Sequence, residues 1–272
     1  MTDFKKIENY YQKFNEKDRL INDSSGRLEY EMTLKILSDY LPPKAKILDL
    51  GGGAGVYTFK LAKKGYTLYL SDLSPKLINE AKEIKKNGNY DNVKSIDIVN
   101  AIDLSIYDSN FFDVVLLFGP LYHLLEESER NKCIKEVNRV LKHGGIVFAT
   151  FIPYWSGSIA IVDRYFKHPE QVNVKNLKEV FQNGKFNNID SKGFQEGYYA
   201  TLEEIEELFK NNGFEKITIK SIRGFGYEKE DKIYQIKDNE IRKEIINLIS
   251  KTSGYSEIIN MCGHAIYVGK KK

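Results

Sequence analysis

Apolar positions run through this chain in two rhythms. Phe4 to Leu20, with Tyr10, Tyr11 and Phe14, and Arg27 to Tyr40, with Leu28, Met32, Ile36 and Leu37, follow the spacing of amphipathic helices. Asn22-Asp23-Ser24-Ser25-Gly26 between them reads as a turn, and Pro42-Pro43 ends the second helix. Short apolar runs then predict strands at Ile47–Leu50, Thr67–Ser71, Lys94–Val99, Phe112–Phe118 and Ile146–Ile152. Helices are expected between them: Val56 to Lys64, Pro75 to about Lys86 behind a Ser74 cap, and Ser128 to Leu141 up to the stop at His143-Gly144-Gly145. Strands alternating with helices at short intervals predict a parallel sheet covered on both faces.

From Pro153 to about Ala200 the alternation stops. The segment is polar and aromatic, with Trp155, Phe166, Phe186 and Tyr199 among its rings, and it is too long for a plain connection. An inserted lid or substrate subdomain is expected there. Thr201-Leu202-Glu203-Glu204 is a capping box that opens a helix to about Asn212, and Gly213 closes it. Lys216–Ile222 reads as a sixth strand, Asn239–Ser250 as a helix and Ala265–Val268 as the last strand. The expected organisation is a helical cap over residues 1–45, a core over 46–152, the insertion at 153–200 and completion of the core over 201–272.

Composition narrows the class only a little. With 42% hydrophobic and 29% charged residues the chain reads as an ordinary soluble domain, and a net charge of +3 predicts no nucleic-acid partner. The first residues lack the apolar core of a signal peptide, and no run approaches the ~20 apolar residues of a membrane span. Cys133 and Cys262 stand far apart, without metal-type spacing. A cytoplasmic protein without a metal, monomeric or homodimeric, is expected, with Cys133 as a small core residue in its helix.

The chemistry begins where the first strand ends. Asp49 is followed by Gly51, Gly52, Gly53 and Gly55, and a helix then starts at Val56. A strand that breaks into glycines before a helix exposes backbone N–H groups and lets a ligand approach the main chain. The dinucleotide fingerprint G-x-G-x-x-G fails here, because Val56 or Ala54 stands where a glycine is required. Asp49-x-Gly51-x-Gly53-x-Gly55 instead resembles the first motif of the class I S-adenosylmethionine-dependent methyltransferases.

Further segments carry the same resemblance in the same order. Asp72-Leu73 ends the second strand about twenty residues on, where a carboxylate accepts hydrogen bonds from both ribose hydroxyls. Asn100-Ala101-Ile102 falls where the family contacts adenine, with Asn100 in place of the commoner Asp. Phe111 to Leu124 resembles the fourth motif, which implies Phe118, Gly119 and Leu121 beside the methionine part of the cofactor. Glu136 to Gly145 is similar to the family's helix ending in Leu-Lys-Pro-Gly-Gly, with His143 for the proline. The resemblance spans about Asp49 to Ile152. It implies an α/β, Rossmann-like doubly wound, mostly parallel seven-stranded sheet, and S-adenosyl-L-methionine as cofactor, held by Asp49, Gly51, Gly52, Gly53, Gly55, Asp72, Leu73, Ala101 and Ile102.

A sulfonium methyl is already electrophilic, so transfer needs an in-line nucleophile held close, and a base only if the acceptor must lose a proton. His123 and Tyr122, after the fourth strand, are the candidate catalytic residues, although packing at the start of a loop explains them equally well. His264, before the final strand, is a further residue that could face the cleft. Tyr11, Arg19 and Arg27 are candidates for the methionine carboxylate, since arginine pairs with carboxylates through a bidentate fork. The N-terminal helices and the aromatic insertion would wall the substrate pocket. The expected activity is methyl transfer to oxygen or nitrogen of a small molecule. RNA or protein methylation, NAD(P)-dependent oxidation and cofactor binding without turnover are the alternatives.

Overall fold

The computed structural model describes residues 2–13, 20, 22–188 and 194–272. Phe14 and Arg19 lie outside the described residues. The strands are β1 Lys46–Leu50, β2 Thr67–Asp72, β3 Val93–Ile98, β4 Phe112–Leu117, β5 Leu141–Pro153, β6 Lys185–Asn187, β7 Glu196–Ala200, β8 Phe214–Ser221 and β9 Ala265–Lys271. The order β3-β2-β1-β4-β5 is parallel, then β9 pairs antiparallel with β5 and β8 antiparallel with β9. These seven strands form the expected Rossmann-like sheet. The order reverses beside β1, so the carboxyl ends of β1, β2 and β4 open onto one crevice, the position where such sheets bind ligands.

The helices are α1 Phe4–Lys13, α2 Ser24–Tyr40, α3 Val56–Ala62, α4 Pro75–Asn87, α5 Pro120–His123 and α6 Glu127–Val140, followed by α7 Tyr154–Lys167, α8 Val174–Asn183, α9 Leu202–Asn211, α10 Glu230–Tyr234, α11 Asn239–Lys251 and α12 Ser256–Ile259. Strand side chains alternate between two apolar layers. Ile47, Val114 and Leu116 pack with Leu28 and Met32 of α2 on one face. Leu48, Val115 and Leu117 pack with Ile134 and Val137 of α6 on the other. Cys133 joins that second layer as a buried free thiol, and burial pushes its pKa up to about 12.

Two local expectations need correction. Helix α2 begins at Ser24, not Arg27, because the Asp23 side chain accepts from the Gly26 amide and caps the first turn. Strand β5 begins at Leu141, which pairs with Phe112. The register then breaks before Val114 meets Ile146, and the skipped His143-Gly144-Gly145 stretch forms a bulge in the strand. The insertion folds as α7, α8 and the β6–β7 hairpin around its own small core of Ile161, Val172, Val180, Phe186 and Tyr199. Two parallel pairs, Ile152 with Tyr199 and Pro153 with Ala200, join it to the end of β5. Among the described residues no helix is long and apolar enough to cross a membrane.

Candidate cofactor and acceptor site

The glycine turn is held open by its own backbone. The amides of Gly51 and Gly52 both donate to the Ser71 carbonyl, at 2.7 and 3.1 Å, which ties the end of β1 to the end of β2. Gly51, Gly53 and Gly55 have φ of +74°, +57° and +86°, the left-handed region that other residues enter only with strain. A Cβ on Gly51 would also stand 2.7 Å from the Pro120 ring.

Asp72 closes this turn. Its Oδ2 accepts from the Gly53 amide at 2.9 Å and its Oδ1 from the Ser74 amide at 2.8 Å. Asp49 lies beneath the loop, fully buried, and Oδ2 accepts from the Thr58 hydroxyl at 2.6 Å. Its Oδ1 has no hydrogen-bond partner among the described residues. Burial pushes the Asp49 carboxyl up to about 6; the Thr58 bond opposes this and the Asp72 charge adds to it.

These groups line one cavity of about 1250 Å³, including its solvent-open mouth. It runs from Asp72, Leu73, Asn100 and Ala101 across the glycine turn to Phe118, Tyr122, His123 and His264. Helix α1 covers it with Phe4, Ile7, Glu8 and Tyr11. Two attachments hold that helix in place. The Thr2 amide donates to the Glu129 carboxylate at 3.1 Å, and Lys6 pairs with Glu196 at 3.1 Å.

Of the residues expected from sequence, Asp49, Gly51, Gly52, Gly53, Asp72, Leu73, Ala101, Phe118, Gly119, Tyr11, Tyr122 and His123 stand on this wall. Four do not. Gly55 is the N-cap of α3, turned against Phe59. Ile102 packs toward the second apolar layer, in a turn where its amide donates to Asn100 Oδ1 at 3.2 Å. Leu121 packs in the second apolar layer and does not line the cavity. Arg27 faces solvent, paired with Glu31 at 3.1 Å and lying over the Tyr234 ring at 4.5 Å. It sits two residues from Glu29, which is about 200° around a helix. The described residues of the insertion do not line the cavity either. Phe186 and Tyr199 fill its own core, and Phe194 stands behind Tyr122 and His123.

His123 is buried, with Nε2 3.0 Å from the Tyr11 hydroxyl. Burial pushes its pKa down to about 4; the nearby His264 adds to this and the Glu196 backbone opposes it. It is therefore a neutral, weakly basic imidazole, ill suited to take a proton near neutral pH. Glu29 and Thr33 also line the cavity, a pair missed from sequence although they sit one helical turn apart within the apolar stripe of α2. The charged and imidazole groups on the described wall are Glu8, Glu29, Asp49, Asp72, His123 and His264, with no lysine or arginine among the described lining residues. Among the described residues no group of three or more His, Cys, Asp or Glu could hold a metal ion.

A doubly wound sheet with a glycine turn bonded to a carboxylate at the end of the next strand defines a Rossmann-like fold, with its crevice where such sheets bind ligands. Residues 48–149 match the family model described as a methyltransferase domain. The tRNA 5-carboxymethoxyuridine methyltransferase of Escherichia coli K12 is 28% identical over 118 residues, 43% of this chain and 44% of its own. The ubiquinone/menaquinone biosynthesis C-methyltransferase of Rickettsia prowazekii is 34% identical over 108 residues, 37% of this chain and 42% of its own. The chain spans about half the length of the curated relatives it matches. A crystal structure of a Pyrococcus horikoshii protein shares the fold over 97% of this chain and 99% of its own, with a TM-score of 0.64 at 21% identity. Residues 48–149 are thus similar to a methyltransferase domain, and the whole chain has the fold that solved S-adenosylmethionine-dependent methyltransferases share.

Proposed function

We propose that this chain transfers the methyl group of S-adenosylmethionine to an oxygen or nitrogen nucleophile of a small molecule. One observation carries the proposal: a single covered cavity joins the Asp72 end to the Tyr122–His264 end, with four carboxylates on its wall. S-adenosylmethionine bears a sulfonium and an ammonium against one carboxylate, so it is a net cation that such a wall attracts. The unpartnered Oδ1 of buried Asp49 is an acceptor waiting for a donor, and Gly51 to Gly53 leave room for a ligand against the main chain. In this reading Asp72 would take the ribose, Leu73, Asn100 and Ala101 the adenine, and the glycine turn the amino-acid part.

The cofactor supplies the electrophilic carbon. The protein supplies alignment, and exclusion of water under α1. The cavity also bears on the acceptor. Helix α1 covers the cavity, so an acceptor small enough to fit beneath it is favoured over an RNA strand. The free buried thiols of Cys133 and Cys262 suit a reducing, cytoplasmic setting.

The test is calorimetry with S-adenosylmethionine and with its demethylated product, followed by a transfer screen over small hydroxyl and amine compounds with tRNA alongside. Binding of neither nucleoside would sink the proposal. Methylation confined to tRNA would move the acceptor to nucleic acid.

A further inference from the structure

His264 precedes β9 and is fixed at its backbone: its carbonyl accepts from the Ile222 amide at 2.9 Å and from the Cys262 thiol at 2.9 Å. Its Nδ1 lies 3.1 Å from Glu29 Oε2 on α2. Both side chains are largely covered, 21% and 12% exposed, and both line the cavity. The imidazole stacks on Tyr122, with centroids 5.5 Å apart and planes at 19°. With Nδ1 committed to Glu29, Nε2 is the ring nitrogen left without a protein hydrogen bond among the described residues. A carboxylate at Nδ1 holds the proton there, leaves the lone pair on Nε2, and stabilises the imidazolium that forms when Nε2 takes a proton.

We propose that His264, oriented by Glu29, accepts the acceptor's proton during methyl transfer, so the acceptor is a hydroxyl or an amine with a proton to lose. This rests on the transfer reaction proposed above. The acceptor's lone pair forms the new bond to the methyl carbon. The carbon–sulfur bond breaks with its electron pair going to sulfur, which yields the neutral thioether product. The acceptor's proton passes to Nε2 of His264, and the imidazolium sits beside the Glu29 carboxylate until solvent takes the proton after product release. Glu29 is a positioning residue. The other groups facing His264 are Tyr122 and the neutral His123, and Arg223, against the neighbouring Gly263, is already paired with Glu230.

Two measurements decide the assignment. The first is the long-range proton–nitrogen spectrum of the full chain, labelled at histidine and saturated with S-adenosylhomocysteine. His264, assigned through H264Q, is expected to carry its proton on Nδ1 with Nε2 bare. In E29Q the tautomers should mix. A proton on Nε2 in the wild type, or a spectrum indifferent to E29Q, overturns the assignment. The second is turnover of S-adenosylmethionine with phenol and with 4-nitrophenol, at a pH where only the latter is ionised. H264Q should lose about 100-fold or more in kcat on phenol and little on 4-nitrophenol, as loss of a general base requires. Equal loss on both, or on neither, overturns it. H264Q, which keeps every carboxylate of the wall, should bind S-adenosylhomocysteine like the wild type. A wild type that binds no such nucleoside fails the transfer reaction itself, whereas normal binding with the wrong tautomer fails only His264.

Discussion

The Tyr11 hydroxyl stands 3.0 Å from Nε2 of His123, and this contact fastens the N-terminal helix to the short helix after β4. Because His123 is buried, removing its partner leaves a polar nitrogen without compensation, a loss of about 1–3 kcal/mol. Tyr11→Phe keeps the ring and deletes that bond. Hydrogen exchange should then quicken along residues 4–13 more than in β1 or β4, and cofactor affinity should fall with it. Unchanged exchange in α1 would mean that Thr2–Glu129 and Lys6–Glu196 hold the helix without Tyr11.

Gly51 is the most constrained point of the turn. Alanine there must adopt φ of +74°, at about 1–2 kcal/mol, and must also push Pro120 away. Since Pro120 opens the helix that carries Tyr122 and His123, the displacement reaches the far end of the cavity. Gly51→Ala should therefore lower Tm and weaken nucleoside binding together. Full binding by calorimetry with only a stability loss would confine Gly51 to a folding role.

Much of this arrangement is legible in the sequence because it is local. The strand and helix rhythms set the sheet, and the spacing of Asp49, the glycines and Asp72 sets one half of the cavity. The other half depends on contacts between distant segments. Glu29 meets His264 across 235 positions, and Thr2 meets Glu129 across 127. No periodicity encodes such pairs. Arg27 illustrates the same limit from the opposite side. Its charge suits a carboxylate, but the rotation of α2 that turns Glu29 and Thr33 inward sends Arg27 to solvent. Aromatic residues suit a pocket wall and a core alike, and in the insertion the small core takes Phe186 and Tyr199.

Asp72 accepts the Gly53 amide at Oδ2 and the Ser74 amide at Oδ1, so its carboxylate is held at the end of β2 beside the glycine turn. In the proposed reading that carboxylate takes the ribose hydroxyls. Asp72→Asn turns one acceptor into a donor that faces a backbone N–H, so it should disturb both the loop and the ribose site. Asp72→Ala should weaken S-adenosylhomocysteine binding by roughly 1–3 kcal/mol, about 10- to 100-fold. Undiminished affinity in both variants would remove Asp72 from the site.

Two buried groups set opposing pH dependences on stability. His123 titrates at about 4 in the fold against an ordinary 6.5. As pH falls through that window the unfolded chain gains a proton the native state refuses, so stability is lost toward acid, by roughly 3 kcal/mol in all. Asp49 titrates at about 6 against an ordinary 3.8. There the unfolded chain releases its proton first, so stability is lost as pH rises through the window, again by roughly 3 kcal/mol. In the wild type the two slopes largely offset each other between pH 4 and 6. Single variants should expose them. His123→Gln should become less stable from pH 4 to 6 relative to wild type, because only the Asp49 loss remains. Asp49→Asn should become more stable over the same interval and gain stability at neutral pH. Urea unfolding across this range measures both differences. Parallel curves for the wild type and His123→Gln would show that the imidazole is protonated in the native state, and that its nitrogen bonded to Tyr11 is less sealed from water than its burial implies.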